Sequence, residues 1–424
     1  MCWLRQTSND LFYITLSNED EVYAPGSDIE GVAHIILEEA TEAQFVKISL
    51  DARARTKWKK DYLAPSYDYM EHRTKLYSAN VIYADEEVVA WSSPPGTTEV
   101  LPAGSHHYPF TLKLPTDLPP SFEGKYGYVR YTVKMELGRP RFQSNKRTSK
   151  AFTVVPTIDL NNVSQAVLPA KKLKAKKLGI ALFRHGDVTI ECETQKSGFV
   201  PGEVIVVNAR VINGSSKDIV KAQVELIEIS TYVSNSYSLN FEPTLTFIDE
   251  DATNRRRQER RRLAAEEQLV NIVKHSEGDV ELHLQVPSTA PSFDCCPIIK
   301  VEYAVEVKFK SSGSLNRHIA IVPVVIGTIP LLGTVTRNRA PQSLPCSSQK
   351  EIKSIPSRSG DSDGDSLNTM LVPNYEESIN GVNGTTIDKS KMEPFAPRYP
   401  FYHQLSEVYK NQGPASSGEA VKAQ

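Results

Sequence analysis

Two runs of basic residues offer the clearest candidate binding chemistry in this sequence. The first run is rich in lysine and comprises Lys171, Lys172, Lys174, Lys176 and Lys177. Closely spaced positive charges attract phosphate groups, so this run predicts contact with anionic lipid headgroups or with phosphorylated tails of partner proteins. The alternative is a solvated linker that leads into a strand. The sequence alone leaves both interpretations open.

The second run has six arginines among the eight residues Arg255–Arg262. It lies in a segment, residues 254–270, that is dense in Arg, Glu, Ala and Leu and has no turn-forming residue after Asn254. This composition predicts a helix capped by Asn254, with Arg262 and Glu266 paired four residues apart. The arginines are interpreted as a solvated helix face or a nuclear-import-like run, or alternatively as a lipid or partner contact.

The sequence offers no constellation typical of an enzyme. The nucleotide-binding patterns G-x-G-x-x-G and G-x-x-x-x-G-K-[ST] are absent, and so is the zinc-protease pattern H-E-x-x-H. His283 lies within a dozen residues of Cys295, but a zinc site there needs two more ligands. We therefore expect a protein that is not an enzyme and that has no cofactor and no metal.

Charge and cysteine usage narrow the class of protein further. The 424 residues include 49 Lys and Arg against 51 Asp and Glu, a formal net charge of −2. This balance argues against a dedicated nucleic-acid binder, which usually has a strongly basic domain. The five cysteines form no C-x-x-C pair, and residues 1–6 lack the apolar core of a signal peptide. These features predict a reduced, intracellular setting.

Strands are the elements that must position these residues. Apolar and polar residues alternate in Phe12–Leu16, in Phe110–Leu114 and over the nine residues Val129–Leu137. A period of two over that length indicates strands with one buried and one exposed face, as in antiparallel sandwiches. Pro-Gly pairs at three places supply turns between strands.

An internal repeat defines the domain organisation. Four blocks recur in the same order 171 to 176 residues later: Pro25-Gly26 as Pro201-Gly202, Phe110–Pro115 as Leu282–Pro287, Pro120–Phe122 as Pro291–Phe293, and Val129–Tyr131 as Val301–Tyr303. This period is too long for a solenoid unit and predicts an all-β protein with two tandem immunoglobulin-like sandwiches. We expect them at residues 1–157 and 158–337, the second with the helical insertion at about 254–270. A disordered tail rich in serine and proline is expected at 338–424.

Several of these blocks resemble a known family. Leu101–Gly104, Leu118–Gly124 and Val129–Lys134 are similar to the N-terminal arrestin domain of the α-arrestins, and Val200–Glu203 and Pro323–Pro330 are similar to their C-terminal lobe. The resemblance implies a cytosolic adaptor, peripheral at the plasma membrane and endosomes. Such an adaptor binds membrane-protein cargo, including receptors and transporters. It recruits HECT-type ubiquitin ligases with WW domains through P-P-x-Y motifs in its tail.

The tail contains shortened versions of that motif. In a WW ligand, proline preforms the polyproline II helix and the tyrosine fills a neighbouring pocket. Three P-x-Y matches keep the second proline and the tyrosine but lack the first proline, and their residues are Pro373, Tyr375, Pro397, Tyr399, Pro400 and Tyr402. Losing one proline weakens binding on the order of ten-fold per site. The motifs are interpreted either as weakened ligands or as decayed ones.

Two functional hypotheses remain. The first is a non-catalytic adaptor that links cargo to a WW-domain ligase for ubiquitination, endocytosis and endosomal sorting. The second is an arrestin-fold trafficking scaffold that sorts cargo through its lobes without recruiting a ligase. Ser362, in the acidic cluster Ser359–Asp365, is a candidate phosphorylation site for an acidophilic kinase in either case.

Overall fold

The computed structural model describes residues 10–66, 69–180, 183–238, 255–313, 317–332, 371–379 and 395–412. The strands of the N-terminal lobe are β1 (Leu11–Leu16), β2 (Val22–Tyr23), β3 (Asp28–Leu37), β4 (Thr41–Ala43), β5 (Phe45–Ser66), β6 (Tyr69–Ser92), β7 (Glu99–Leu101), β8 (Gly104–Lys113), β9 (Phe122–Gly124), β10 (Gly127–Gly138) and β11 (Lys146–Val154). One sheet has the order β1-β3-β8, and the opposite sheet contains β6-β5-β10-β11-β2 with β9 beside β10.

The C-terminal lobe repeats this architecture. Its strands are β12 (Ala170–Ile180), β13 (Phe183–Thr194), β14 (Gly198–Phe199), β15 (Val204–Asn213), β16 (Ile219–Val233), β17 (Asn235–Ser238), β18 (Arg256–Ile272), β19 (Ser276–Gln285), β20 (Ile299–Ser311) and β21 (Arg317–Ile326). The two sheets have the orders β12-β13-β15-β19 and β14-β21-β20-β16-β18. The predicted all-β fold of two tandem sandwiches is confirmed.

The period-two pattern of the sequence places the core between the sheets. On β10, Val129, Tyr131 and Val133 are fully buried, while Arg130 and Thr132 between them are half-buried on the other face. Ile29 and Ile35 of β3 are also fully buried. Burial of whole aliphatic and aromatic side chains is the main source of folding free energy in such a sandwich.

Equivalent hydrogen bonds show that the sequence repeat is a structural repeat. The Ser121 hydroxyl accepts from the Val154 amide at 2.9 Å, and the Ser292 hydroxyl accepts from the Ile326 amide at 3.0 Å. Tyr131 donates its hydroxyl to the carbonyl of Pro119 at 2.6 Å, just as Tyr303 donates to the carbonyl of Ala290 at 2.7 Å. In each lobe, the serine bond and the tyrosine bond together close the same corner.

The helix predicted at 254–270 is wrong, because the segment forms strand β18. β18 pairs antiparallel with β16, and its residues alternate between exposed (Arg260, Arg262) and partly buried (Arg261) up to the buried Leu263. Arg, Glu, Ala and Leu favour helices in isolation, but tertiary pairing overrides weak local propensity. Here other strands of the sheet supply carboxylates for Arg260, Arg261 and Arg262, and this cross-strand pairing favours the sheet.

The two lobes contact each other through strand pairing and aromatic packing. β17 leaves the C-terminal lobe and pairs with β6 of the N-terminal lobe. Phe122 and Phe293, which are equivalent positions of the repeat, meet edge to face with ring centroids 5.9 Å apart. A Cβ at Gly124 would lie 2.0 Å from the Tyr232 hydroxyl, so glycine is required there for the lobes to approach. The lobe junction is therefore a packed interface.

Two segments of the predicted tail carry secondary structure. β22 (Asn374–Glu377) pairs antiparallel with β23 (Arg398–Phe401), and helix α1 (His403–Gln412) follows. The composition of the tail predicts none of these three elements. Within the described ranges, no helix is long and apolar enough to cross a membrane.

Candidate functional site

The candidate site is the lobe junction, where a piece of the tail crosses from one lobe to the other. We call residues 395–405 the tail strap. Its Arg398 amide donates to Thr153 Oγ1 at 3.1 Å, and the Arg398 guanidinium donates to the carbonyl of Asp20 at 3.3 Å. The Tyr399 hydroxyl donates to the carbonyl of Ser121 at 2.6 Å. These bonds attach the first half of the strap to the N-terminal lobe.

Tyr399 is inserted into the core that the lobes share. Its side chain is 1% exposed and belongs to the same hydrophobic cluster as buried residues of both lobes. Burial raises the pKa of Tyr399 well above its usual value, and Glu228 of the C-terminal lobe and Glu123 of the N-terminal lobe raise it further. The phenol therefore stays neutral and acts as a hydrogen-bond donor at the junction.

The second half of the strap is attached to the C-terminal lobe and the linker between the lobes. The Tyr402 amide donates to the carbonyl of Pro201 at 3.1 Å, and its hydroxyl donates to the carbonyl of Thr328 at 2.7 Å. Burial raises the pKa of Tyr402 to about 12. Tyr402 and Leu405 complete a second apolar cluster, whose other members are Leu160, Ala166, Val200 and Leu331.

Gly202, in the Pro-Gly turn of the C-terminal repeat, lies directly against the strap. Its φ is +93°, and an added Cβ would lie 2.4 Å from the carbonyl oxygen of Tyr402. Its counterpart in the N-terminal repeat, Gly26, has φ of +80° and only the side chain and Cα of Thr116 near that position. Both positions favour glycine for backbone reasons, but only Gly202 also makes room for the tail.

A buried ion pair lies on the N-terminal side of the junction. Glu123, 5% exposed, accepts a hydrogen bond from the Arg130 guanidinium at 2.7 Å. Burial raises the pKa of Glu123 to about 7 even though Arg130 lowers it. The Arg130 guanidinium lies 5.1 Å from the ring centroid of Tyr128 and 5.7 Å from that of Phe395. The strap thus covers this pair with Phe395.

The other P-x-Y motif lies on the surface. The Tyr375 side chain is 39% exposed, and Pro373 beside it is half-buried. Both line an apolar cleft of about 440 Å³, together with Pro400 and Tyr402 of the strap and residues of the linker between the lobes. Ser288 donates its hydroxyl to the carbonyl of Glu376 at 2.8 Å, which holds this segment to the C-terminal lobe.

The three P-x-Y matches are therefore brought together but differ in accessibility. Pro397, Tyr399, Pro400 and Tyr402 are buried in the strap, whereas Pro373 and Tyr375 are reachable from solvent. A WW domain binds the proline of its ligand in an aromatic groove and the tyrosine in a neighbouring pocket. The Tyr375 ring is 39% exposed and the Tyr399 ring is 1% exposed, so Tyr375 is the more accessible of these two tyrosines.

The lysine run lies on β12, the edge strand of its sheet. Lys171, Lys172 and Lys174 are exposed, and Lys171 forms an ion pair with Glu193 at 2.9 Å. Lys176 and Lys177 belong to the same strand, but their side chains lie outside the described part of the structure. Ser362 also lies outside the described residues. Phosphate or lipid binding by the lysines stays a prediction.

Three arginines of β18, Arg260, Arg261 and Arg262, have carboxylate partners on other strands of the sheet. The Arg261 guanidinium makes two hydrogen bonds, of 2.9 and 3.0 Å, to the carboxylate of Glu228, which is 1% exposed. Arg262 lies 3.5 Å from Glu225, and Arg260 pairs with Glu306. These contacts account for the second half of the arginine run, Arg260–Arg262, as part of the sheet. Among the described residues, no cluster of three or more His, Cys, Asp or Glu side chains is arranged to hold a metal ion.

Comparison with known proteins agrees with this architecture. Residues 12–161 match the model of the arrestin (or S-antigen) N-terminal domain, and residues 184–331 match the C-terminal domain of the same family. The chain belongs to the α-arrestin family. Arrestin domain-containing protein 17 of Caenorhabditis elegans is 27% identical over 93% of this chain and 99% of its own length. Mouse arrestin domain-containing protein 4 is 27% identical over 76% of this chain and 72% of its own length.

Arrestin-family proteins are generally non-catalytic adaptors of protein trafficking. The relative from C. elegans also aligns over nearly the whole of this chain, which means that the alignment extends beyond the two arrestin domains.

Sequence reasoning missed the partners of the strap. Thr153, Pro201 and Thr328 hold it, and none of them belongs to a recognisable binding motif. One signal was present: Phe395–Tyr402 (FAPRYPFY) is far richer in aromatic residues than the tail around it. Aromatic side chains bury large areas, so this density marks a segment that packs against a folded surface.

Proposed function

We propose that this α-arrestin is a non-catalytic cytosolic adaptor that connects membrane-protein cargo to a HECT-type ubiquitin ligase with WW domains. The two lobes form the platform for cargo, and the tail supplies the ligase ligand. The result is ubiquitination of the cargo, followed by endocytosis and endosomal sorting. Membership in the arrestin family supports the adaptor role, and the tail motifs support the link to a ligase.

The exposed Tyr375 is the observation that carries the proposal. It lies in a P-x-Y motif on a strand that pairs with the tail strap and is bonded to the C-terminal lobe. A WW domain on Tyr375 is therefore held against the lobes rather than at the end of a long tether. Short tethering raises the effective concentration of one bound partner near the other. This arrangement suits an adaptor that presents cargo to an enzyme.

Calorimetric titration of the full chain with a WW domain of the P-P-x-Y class tests the ligand. We expect binding that Tyr375→Ala removes and that Tyr13→Ala leaves unchanged, since Tyr13 is a similarly exposed tyrosine of the N-terminal lobe, at 41%. A titration without heat of binding, repeated with the isolated 368–380 peptide, would rule out this motif as the ligase ligand.

A second function, a trafficking scaffold that recruits no ligase, is favoured by one observation. Tyr399 and Tyr402 have structural roles in packing, so two of the three tail motifs have an explanation that needs no WW domain. Cargo internalisation separates the two functions. It depends on Tyr375 in an adaptor and is insensitive to Tyr375→Ala in a scaffold.

Attachment to membranes is proposed through the exposed lysines of β12 and anionic lipid headgroups or phosphorylated cargo tails. Lys172 and Lys174 are two residues apart on an edge strand and therefore point to the same face of the sheet. Each lysine close to an anionic surface adds about 1 kcal/mol of attraction. The plasma membrane and endosomes are the compartments that this proposal assigns.

A further inference from the structure

We propose that the lobe junction competes with the WW domain of the ligase for the tail strap. The Pro397-Arg398-Tyr399 motif then occupies either the lobe junction or a WW domain, never both. This inference rests on the proposed function for the identity of the competing partner. It adds that ligase recruitment through this motif opens the junction between the lobes. It also assigns different roles to the two P-x-Y motifs, one exposed and one gated.

The exclusion follows from the position of one side chain. Tyr399 is 1% exposed, and its hydroxyl is bonded to the carbonyl of Ser121. A WW domain needs the tyrosine ring and the proline two residues before it on its own surface. Pro397 is buried as well. Neither residue can reach a WW domain until the strap leaves the junction.

Release of the strap affects both lobes because it is bonded to both. Arg398 and Tyr399 bind Thr153 and Ser121 of the N-terminal lobe, and Tyr402 binds Pro201 and Thr328 on the other side. Departure of the strap removes these bonds together and exposes the second apolar cluster around Tyr402 and Leu405. The molecule thus has two discrete states in this proposal, one with the strap docked and one with the strap released.

We call the equilibrium between docked and released strap the gate, and it has a measurable consequence for the affinity of the chain for a WW domain. When only a fraction of molecules is competent to bind, the apparent dissociation constant rises by the inverse of that fraction. A strap that is docked in nine of ten molecules weakens WW binding about ten-fold relative to the free peptide. A substitution in the lobes that weakens docking recovers this factor, although it changes no residue of the ligand.

One substitution makes the effect of strap docking on WW-domain affinity measurable. Ala396→Pro completes a P-P-R-Y motif at Pro397, so the ligand binds a WW domain strongly whatever the affinity of the natural motif. A WW domain of the P-P-x-Y class is titrated against two ligands that both carry Ala396→Pro. One is the full chain with Tyr375→Ala, which removes the exposed motif, and the other is a free 393–405 peptide. We expect the full chain to bind at least ten-fold more weakly than the peptide.

Gly202→Ala and Gly26→Ala provide the matched pair for the lobe side. Both place a side chain at positive φ in equivalent Pro-Gly turns, but only Gly202→Ala directs a Cβ at the carbonyl of Tyr402. We expect Gly202→Ala to raise the WW-domain affinity of the full chain to that of the peptide. We expect Gly26→Ala to leave the difference in affinity unchanged. Equal affinity of full chain and peptide, or an equal effect of the two glycine substitutions, would overturn the proposal.

Hydrogen exchange on the chain without Ala396→Pro gives a second test, which needs no WW domain. The amides of Arg398 and Tyr402 are bonded to Thr153 and Pro201, so we expect Gly202→Ala to accelerate their exchange and Gly26→Ala to leave it unchanged. No acceleration means that the strap is not held at Gly202, and the gate fails. Binding of the natural 393–405 peptide to the WW domain is measured separately, and its failure would count against the ligase role alone.

Discussion

The hydroxyl of Tyr399 donates a hydrogen bond to the carbonyl of Ser121 at 2.6 Å, although 278 positions separate the two residues in the sequence. Ser121 lies in the L-P-P-S-F-E-G block that marks the N-terminal lobe, and its own hydroxyl accepts from the Val154 amide. The tail thus contacts a corner of the N-terminal lobe whose hydrogen-bond geometry is repeated in the C-terminal lobe. This contact makes the tail part of the folded molecule.

Tyr399→Phe removes this hydrogen bond and leaves the Ser121 carbonyl without its partner. Losing one partner of a buried pair costs about 1–3 kcal/mol, and we expect the cost to appear as weaker docking of the strap. Hydrogen exchange at the Arg398 amide is the measurement, with Tyr375→Phe as control because that ring is 39% exposed. Identical exchange in the two variants would show that the bond to Ser121 does not hold the strap.

Arg261→Ala should destabilise the C-terminal lobe far more than Arg262→Ala. Arg261 donates from one guanidinium nitrogen to both carboxylate oxygens of Glu228, and removing one member of a buried pair costs about 3–5 kcal/mol because the other charge stays buried. The Arg262 side chain is 61% exposed, and its pair is worth about 0–1 kcal/mol. Urea unfolding of both variants gives the comparison, and similar midpoints would contradict the assigned role of Glu228.

The sequence predicted the sandwiches because both signals of the fold are local or repetitive. The alternation in Val129–Leu137 and the recurrence of Pro120–Phe122 as Pro291–Phe293 need no knowledge of distant contacts. β18 was mistaken for a helix because its strand state depends on carboxylates such as Glu228 and Glu306, which come from other strands. Its arginines are compatible with a helix, and only their tertiary partners decide whether the segment forms a helix or a strand.

The candidate site was predicted in part. The residues of the P-x-Y motifs were found from the sequence, but the difference between Tyr375 and Tyr399 was not, since accessibility depends on where the tail lies. The composition of the tail, dominated by Ser, Pro, Gly, Asn and Asp, predicts disorder on average. A short aromatic segment such as Phe395–Tyr402 is lost in such an average, although it is long enough to dock.

Glu123 makes the stability of the N-terminal lobe depend on pH. Its pKa rises from 4.5 to about 7 in the folded state, so the folded chain binds more protons than the unfolded chain between those values. Stability from this group is therefore full below pH 4.5 and is lost as pH rises through about 7, by up to about 3 kcal/mol. Arg130 and Tyr399 are the charged and titratable groups that face it.

Glu123→Gln tests this dependence, because glutamine keeps the shape and does not titrate. The free energy of unfolding of the natural chain, relative to that of Glu123→Gln, should decrease between pH 5 and pH 8. Thermal or urea unfolding at the two pH values is sufficient. A relative stability that stays constant from pH 5 to pH 8 would mean that Arg130 dominates and holds the carboxyl ionised throughout.

Lys172→Glu with Lys174→Glu should reduce binding to anionic membranes. Two charge reversals next to an anionic surface remove about 1 kcal/mol per lysine and add repulsion, so we expect at least a ten-fold loss of affinity. Co-sedimentation with vesicles of phosphatidylcholine and phosphatidylserine measures it. Lys113→Glu with Lys221→Glu is the control of equal charge, and an equal loss in both pairs would show that only net charge matters.

Reconstituted ubiquitination tests the link to a ligase most directly. A purified HECT ligase with P-P-x-Y-class WW domains is combined with ubiquitin, its activating and conjugating enzymes and the full chain, and transfer of ubiquitin to the chain is followed. We predict transfer that Tyr375→Ala with Tyr399→Ala reduces at least about ten-fold, while Tyr13→Ala has no effect. Transfer at the same rate with and without the two tail tyrosines would contradict the adaptor that we propose.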